Sequence, residues 1–329
     1  MHTRRLALVP FLSLVFVLGA VRLAPADWSS RDPGATDNLY DVTFLDADNG
    51  YAVGFGQETG AVILKTTDGG HTWKETRPIT GGFLFSVRFT SEKVGYVAGY
   101  DPACNCGLIL KTRDAGRSWE KTHLPSTFGL YDLEFPTSKL GFVCGYGGKI
   151  FRTTNGGKTW KALETGAGNL VFRWMSFADT KTGFALAGTE YSNSRELFRT
   201  KDGGRRFERV HDFGADHVIT GVHAFENGDL VVCGAKDKKG FVRRSSDGGK
   251  SWEEVLPSAG FPLGLVFDGD TGVVVGAHGN VARSSDAGKT WSTLKAPFGE
   301  MALAVTSNDG SFTLVGADGL VYRYEDSDP

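Results

Sequence analysis

Six times the chain repeats one short pattern. An aliphatic or β-branched pair is followed by Lys or Arg, then by Ser/Thr-x-Asp-x-Gly-x-x-Trp. The copies run Thr66 to Trp73, Thr112 to Trp119, Thr153 to Trp160, Thr200 to Phe207, Ser245 to Trp252 and Ser284 to Trp291. Self-similarity at a period of roughly 40–47 residues marks each copy as one supersecondary unit of an array. An array of short strands that closes on itself without helices is a β-propeller.

A second signal counts the units. Gly-(aromatic or aliphatic)-x-x-Gly segments recur at Gly50 to Gly54, Gly95 to Gly99, Gly141 to Gly145 and, slightly longer, Gly183 to Gly188; they continue at Gly228 to Gly234, Gly272 to Gly276 and Gly310 to Gly316. That makes seven units, against six boxes. Before each lies a strand-like stretch, such as Val42-Thr43-Phe44 or Val87-Arg88-Phe89. After each comes a third strand running into the box, and the box aromatic opens a fourth. The seventh unit ends at Gly319-Leu320-Val321-Tyr322-Arg323 with no box. Trp28 precedes Gly50 by 22 residues, the spacing of Trp73 to Gly95 and of Trp119 to Gly141. The strand around Trp28 should therefore complete the last blade and remove two exposed sheet edges. The expected fold is all-β, one seven-bladed propeller over residues 27–329.

The box residues suit a tight turn between the third and fourth strands. Asp68, Asp114, Asp202, Asp247 and Asp286, with Asn155 in the third copy, can accept hydrogen bonds from backbone N–H groups just ahead of them. Gly at the fifth position supplies a positive φ. Trp73, Trp119, Trp160, Trp252 and Trp291, with Phe207 in the fourth copy, fold a ring over the hairpin. Asn155 keeps the acceptor without the charge, and Phe207 keeps the ring without the indole N–H. Catalytic groups would not survive such exchanges, so the boxes are structural.

Residues 1–26 read as a cleaved signal peptide. Arg4 and Arg5 precede an apolar run from Leu6 to Val21, and Ala24-Pro25-Ala26 suits cleavage before Asp27. An ordinary export signal is the primary reading, with a twin-arginine signal or an uncleaved anchor as alternatives. No Cys follows the apolar run, which argues against a lipid anchor. The mature chain is then periplasmic, lumenal or extracellular. It keeps 33 basic against 38 acidic side chains, net −5. With no Lys/Arg block, nucleic acid is not an expected partner. Cys144 and Cys233 share one repeat position with small apolar residues and read as buried strand residues. Cys104-Asn105-Cys106 lies in a Gly-rich loop and suits a local disulfide. Without a nearby His or further Cys, the pair is poor support for a metal site. Neither a metal nor a cofactor is expected.

The boxes resemble the Asp-box, or bacterial neuraminidase (BNR), repeat over nearly the whole mature chain. Within that superfamily, which includes sialidases, xyloglucan-cleaving endoglucanases and sortilin-type receptors, the layout is most similar to the photosystem II stability/assembly factor group. Gly148-Lys149-Ile150-Phe151-Arg152 leading into Thr153-Thr154-Asn155-Gly156-Gly157-Lys158-Thr159-Trp160 carries that resemblance. It implies a non-enzymatic protein that binds a protein or peptide, such as a membrane-protein precursor. The alternative is a sialidase-like propeller that cleaves or binds glycans. The Arg-Ile-Pro motif of sialidases is missing; Arg77-Pro78-Ile79 has the wrong order and place. A glycosidase also needs two facing carboxylates, for which Asp41, Asp132, Asp216 and Glu190 are the loop candidates.

Binding is expected on the face built from the loops entering the first strand and joining the second to the third. Register puts Tyr40, Asp41, Phe85, Tyr131, Asp132, Arg173 and Trp174 around the channel mouth, with Tyr191 in a longer loop beside them. Aromatics interleaved with Arg suit a peptide segment, although the aromatics would serve equally as plugs between blades. The expected state is a monomer.

Overall fold

The computed structural model describes residues 27–34, 37–56, 60–76, 81–125, 127–189, 195–257, 260–308 and 310–325. The expected signal peptide, Arg77-Pro78-Ile79, Glu190 and Tyr191 lie outside them. Strands follow one another with no helix beyond two single 3-10 turns, Ala277–Gly279 and Ala317–Gly319, among the described residues. They form seven four-stranded antiparallel sheets, each built from consecutive strands except the last. The chain is a seven-bladed β-propeller.

Blade one comprises Asn38–Phe44, Asn49–Gly56, Gly60–Thr67 and Lys74–Thr76, from the channel outward, and its neighbours repeat the plan. In blade seven the inner strands are Ala302–Asn308, Ser311–Gly316 and Val321–Glu325. The outer strand is Asp27–Ser30, paired Trp28↔Tyr324 and Asp27↔Glu325. Trp28 meets Tyr324 and Phe298 edge-on at 5.0 and 5.8 Å. The core lies between blades, where Leu64, Ile109, Leu186 and Val232 are fully buried or nearly so. Burying each such side chain contributes about 1.5–3 kcal/mol.

Both glycines of the second-strand signal have steric causes. A Cβ on Gly95 would lie 2.5 Å from the Phe89 ring, which closes the inner strand of the same blade. A Cβ on Gly54 would lie 2.0 Å from the Asn38 carbonyl oxygen. The second contact matters for function, because it occurs where the inner strand bulges.

The boxes fold as hairpin locks on the face opposite the expected docking face. In the first, the Thr66 hydroxyl donates to Asp68 Oδ1 at 2.8 Å and accepts from the Gly70 N–H at 2.8 Å. The Thr72 N–H and hydroxyl both donate to the Asp68 carboxylate, at 2.9 and 2.6 Å. Such bonds, led by the side chain at the seventh box position, hold the Asp68, Asp114 and Asp286 carboxyls down to about 2. Asn155 accepts from the Thr159 N–H at 3.0 Å and donates its own amide to the Thr159 hydroxyl at 2.8 Å, so the lock closes without a charge. The fourth box position is left-handed too, and Ala115 and Ala287 occupy it with φ of 59° and 58°. The Lys or Arg before the first three boxes, and Arg323 at the same place in the seventh unit, reach the turn of the next blade. Lys65 Nζ donates to the Ala115 carbonyl at 2.9 Å, Arg152 Nε to Gly203 O at 2.8 Å, and Arg323 Nη1 to Gly69 O at 3.2 Å across the ring closure.

Candidate functional site

Every innermost strand carries a β-bulge near its start, opposite the second glycine or its equivalent. The bulged residues are Tyr40, Phe85, Tyr131, Arg173, Thr220, Leu263 and Leu303. A bulge re-aims its side chain away from the sheet's alternation, and here all seven bulged residues line the central channel. The channel encloses about 320 Å³.

On one side of the mouth the bulged residues form a continuous row of rings. Tyr40 meets Phe85 at 5.6 Å, Phe85 meets Tyr131 at 5.0 Å, and the Arg173 guanidinium lies over the Tyr131 ring at 5.7 Å. The row branches outward along blades one to three. Phe83 contacts Phe85, Phe55 and Tyr100, while Tyr146 links Tyr131 to Phe128, whose side chain is 56% exposed. Phe55 and Tyr100 begin second-to-third-strand loops that register already places beside the mouth, while Phe83, Tyr146 and Phe128 do not stand out in the sequence. Phe83 meets Tyr100 through pairing of inner and second strands and meets Phe55 across the interface between blades one and two. Arg173 also donates to the Thr189 carbonyl at 3.4 Å. Trp174, half-buried, packs on the Phe184–Leu186–Leu197 cluster, so it serves the blade interface as well as the channel wall.

One residue further along, Asp41 and Asp132 turn sideways and clamp neighbouring blades. Asp41 accepts from the Val87 N–H at 2.9 Å and from Arg88 Nη1 at 2.6 Å. Asp132 accepts from the Ser86 hydroxyl at 3.1 Å, the Leu133 N–H at 2.9 Å and the Met175 N–H at 2.7 Å. Both carboxylates thus bridge neighbouring blades within the ring. Asp216 is likewise engaged, by His217 Nδ1 at 2.8 Å and Lys236 Nζ at 3.2 Å.

Deeper in the channel, Arg88 faces three carboxylates, with Asp132 Oδ1 at 3.7 Å and Glu134 Oε1 at 4.0 Å beside the Asp41 contact. Burial pushes the Glu134 and Asp132 carboxyls upward and Arg88 only partly opposes this, while the acids raise the Arg88 guanidinium further. Burial also brings the His223 imidazole down to about 4, so it stays neutral in the channel. Arg88 and Glu134 were not singled out in the sequence, where each is one polar letter in a strand.

The Cys104–Cys106 pair is joined as a disulfide in the loop between Gly95–Asp101 and Cys106–Thr112. The histidine that sequence proximity did not supply comes from the blade's outer strand, Glu120–Leu124, where His123 pairs with Leu108. Its Nε2 lies 2.9 Å from Asp101 Oδ2. Tyr100, at the end of the aromatic row, donates its hydroxyl to Asn105 Oδ1 at 2.8 Å. Cys144 and Cys233 are free and buried, and burial raises both thiols, Cys233 to about 12.

The sequence matches the model of the family described as photosynthesis system II assembly factor YCF48 over residues 21–129 and 118–212, more than half of the chain. It belongs to the YCF48 family. The chain is 43% identical over 70 residues to the photosystem II assembly lipoprotein Ycf48 of Prochlorococcus marinus (strain NATL2A), and the match spans 20% of either protein. Among solved structures, a YCF48 bound to a D1 peptide superposes with a TM-score of 0.72 at 20% identity, covering 92% of this chain and 99% of that one. A family 74 glycoside hydrolase (GH74) of Niastella koreensis follows the same propeller at TM-score 0.69 and 15% identity, over 90% of this chain and 53% of its own. At these identities the superpositions speak for the fold, and the family match carries the membership.

Proposed function

We propose that this YCF48-family chain is an exported, non-catalytic propeller that docks an extended protein segment, acting in the assembly or stability of a partner. The aromatic row from Tyr40 through Phe85 to Tyr131, ending under Arg173, carries this reading. Rings held by bulges present a large apolar area at low entropic cost, and Arg adds a charged anchor, the composition that dominates binding energy at protein interfaces. The bound peptide in the solved YCF48 relative supports the class of partner. A membrane-protein precursor fits it, and residues 1–26, read as a signal, would bring the chain to the lumenal or periplasmic side.

The test is fluorescence anisotropy with a labelled D1 peptide and a panel of extended apolar peptides. The protein carrying Phe85→Ala, Tyr131→Ala and Arg173→Ala serves as comparison. Saturable binding to the parent and its loss in the triple variant, with thermal unfolding unchanged, is the expected result. Unaltered binding in the variant, or no binding to any member of the panel, would sink the docking site. Glycan cleavage is the competing activity, favoured by the likeness to the family 74 hydrolase. Release of reducing ends from xyloglucan or sialosides, lost in Asp132→Asn, would establish it in place of docking.

A further inference from the structure

The loop joining the second and third strands of blade two gathers chemistry that the aromatic row does not use. Ligand atoms of Cys104, Cys106 and His123 lie within 4.8 Å of one another, the one such trio among the described residues. Cys104 and His123 are exposed and Cys106 is buried, so one side of the trio opens to solvent and the other is backed by the sheet. Asn105 between the cysteines has a φ of 53°, a left-handed turn that brings the two ends of the tripeptide together. Asp101, itself buried, holds the imidazole from behind at 2.9 Å.

The geometry points to a redox-gated site for a thiophilic divalent cation of the zinc type, made by Cys104, Cys106 and His123 once their disulfide is reduced. Two thiolates and an imidazole are the donors zinc prefers, at about 2.3 Å for sulfur and about 2.0 Å for nitrogen, with water completing the tetrahedron. Two sulfurs on one such ion stand roughly 3.8 Å apart. That separation excludes an S–S bond, so disulfide and metal are alternative states of the same loop. A dithiol reductant delivers two electrons and two protons to the disulfide and becomes a disulfide itself. The cation then displaces both thiol protons, which leave to solvent. Asp101 is a positioning residue, fixing the ring as carboxylates behind zinc-bound histidines do.

The experiment uses the mature chain, oxidised or reduced with a phosphine, and titrates Co²⁺ followed by Zn²⁺ competition. The reduced protein should bind one Co²⁺ with a sulfur-to-cobalt charge-transfer band and tetrahedral d–d absorption. The oxidised protein should show neither. Cys104→Ser, at the exposed position, should remove the charge-transfer intensity of one thiolate and weaken binding at least about tenfold, and Asp101→Asn should weaken it by about 10–100-fold. His123→Ala should do the same with the charge-transfer band retained. Thermal unfolding of each variant reports folding independently. A disulfide that native-state phosphine does not reduce, a reduced protein that takes up no more Co²⁺ or Zn²⁺ than the oxidised one, or uptake indifferent to Cys104→Ser would each overturn the site. None of these readouts depends on peptide docking, so this inference and the docking reading fail separately.

Discussion

Blades one to four and blades five to seven share one backbone device and furnish it differently. In every inner strand a bulge lifts a single residue to the channel mouth. In the first group that residue is Tyr40, Phe85, Tyr131 or Arg173, followed by Asp41, Ser86, Asp132 or Trp174. In the second it is Thr220, Leu263 or Leu303, followed by Gly221, Gly264 or Ala304. Since the bulge forms with either set, the rings are not what bends the strand. One half of the rim is also laced by carboxylate clamps between inner strands; in the other, Thr220 donates its hydroxyl to the Pro262 carbonyl at 2.8 Å, while Gly221, Gly264 and Ala304 have no side chain that could lace. Asymmetry imposed on a symmetric ring is where function is sought.

Breaking the laced half should have the largest effect. Asp132→Ala strands the Met175 N–H and takes away the Ser86 hydroxyl's acceptor in a buried place, and should cost about 2–4 kcal/mol in denaturant unfolding. A cost below about 0.5 kcal/mol would mean that the clamp does not distinguish the halves. Next, Phe85→Ala with Tyr131→Ala should weaken peptide binding by about 2 kcal/mol. Leu263→Ala with Leu303→Ala should change it less than about twofold. Equal losses would erase the comparison.

A third outcome concerns pH. The folded state raises the carboxyl of Glu134 from 4.5 to about 8, and that of Asp132 from 3.8 to about 6. It therefore binds protons more tightly than the unfolded chain, and their contribution falls as pH rises through this window. The boxes act oppositely. Carboxyls lowered from 3.8 to about 2 stabilise above the unfolded value, and that contribution is lost as pH falls toward about 2. Glu134→Gln should flatten the decline of melting temperature between pH 5 and 8 and leave the acid limb in place. An unchanged slope would remove Glu134 as its source. The smallest effect is expected from grafting: Leu263→Tyr and Leu303→Tyr should each shift stability by under about 1 kcal/mol. A larger loss would show that the rim of blades six and seven is packed rather than simply unfurnished.

The sequence made the blade count, the closure by Trp28 and the locks legible because each rests on a local pattern repeated many times. Repetition also put Tyr40, Phe85, Tyr131 and Arg173 at one register position. It did not show that Asp41 and Asp132 turn toward the next blade's backbone, since their partners are about 45 residues away and belong to no motif. Arg88 and Glu134 stayed hidden for the same reason: only closing the ring brings position-matched residues of different blades to one axis. The Lys or Arg before each box was visible as a repeat, yet its purpose appears only once the neighbouring turn is beside it. His123 reaches the cysteines through strand register across a hairpin, which spacing alone does not reveal.

The pairing of Asp27 with Glu325 makes one of the first residues of the ring wait for one of the last. A chain threaded through a membrane N-terminus first would emerge with Trp28 unpaired, and the circle would stay open until Val321–Glu325 arrived. Any product cut short before that strand keeps two raw sheet edges and an uncovered indole. The joint thus makes closure of the ring conditional on a chain that carries both strands.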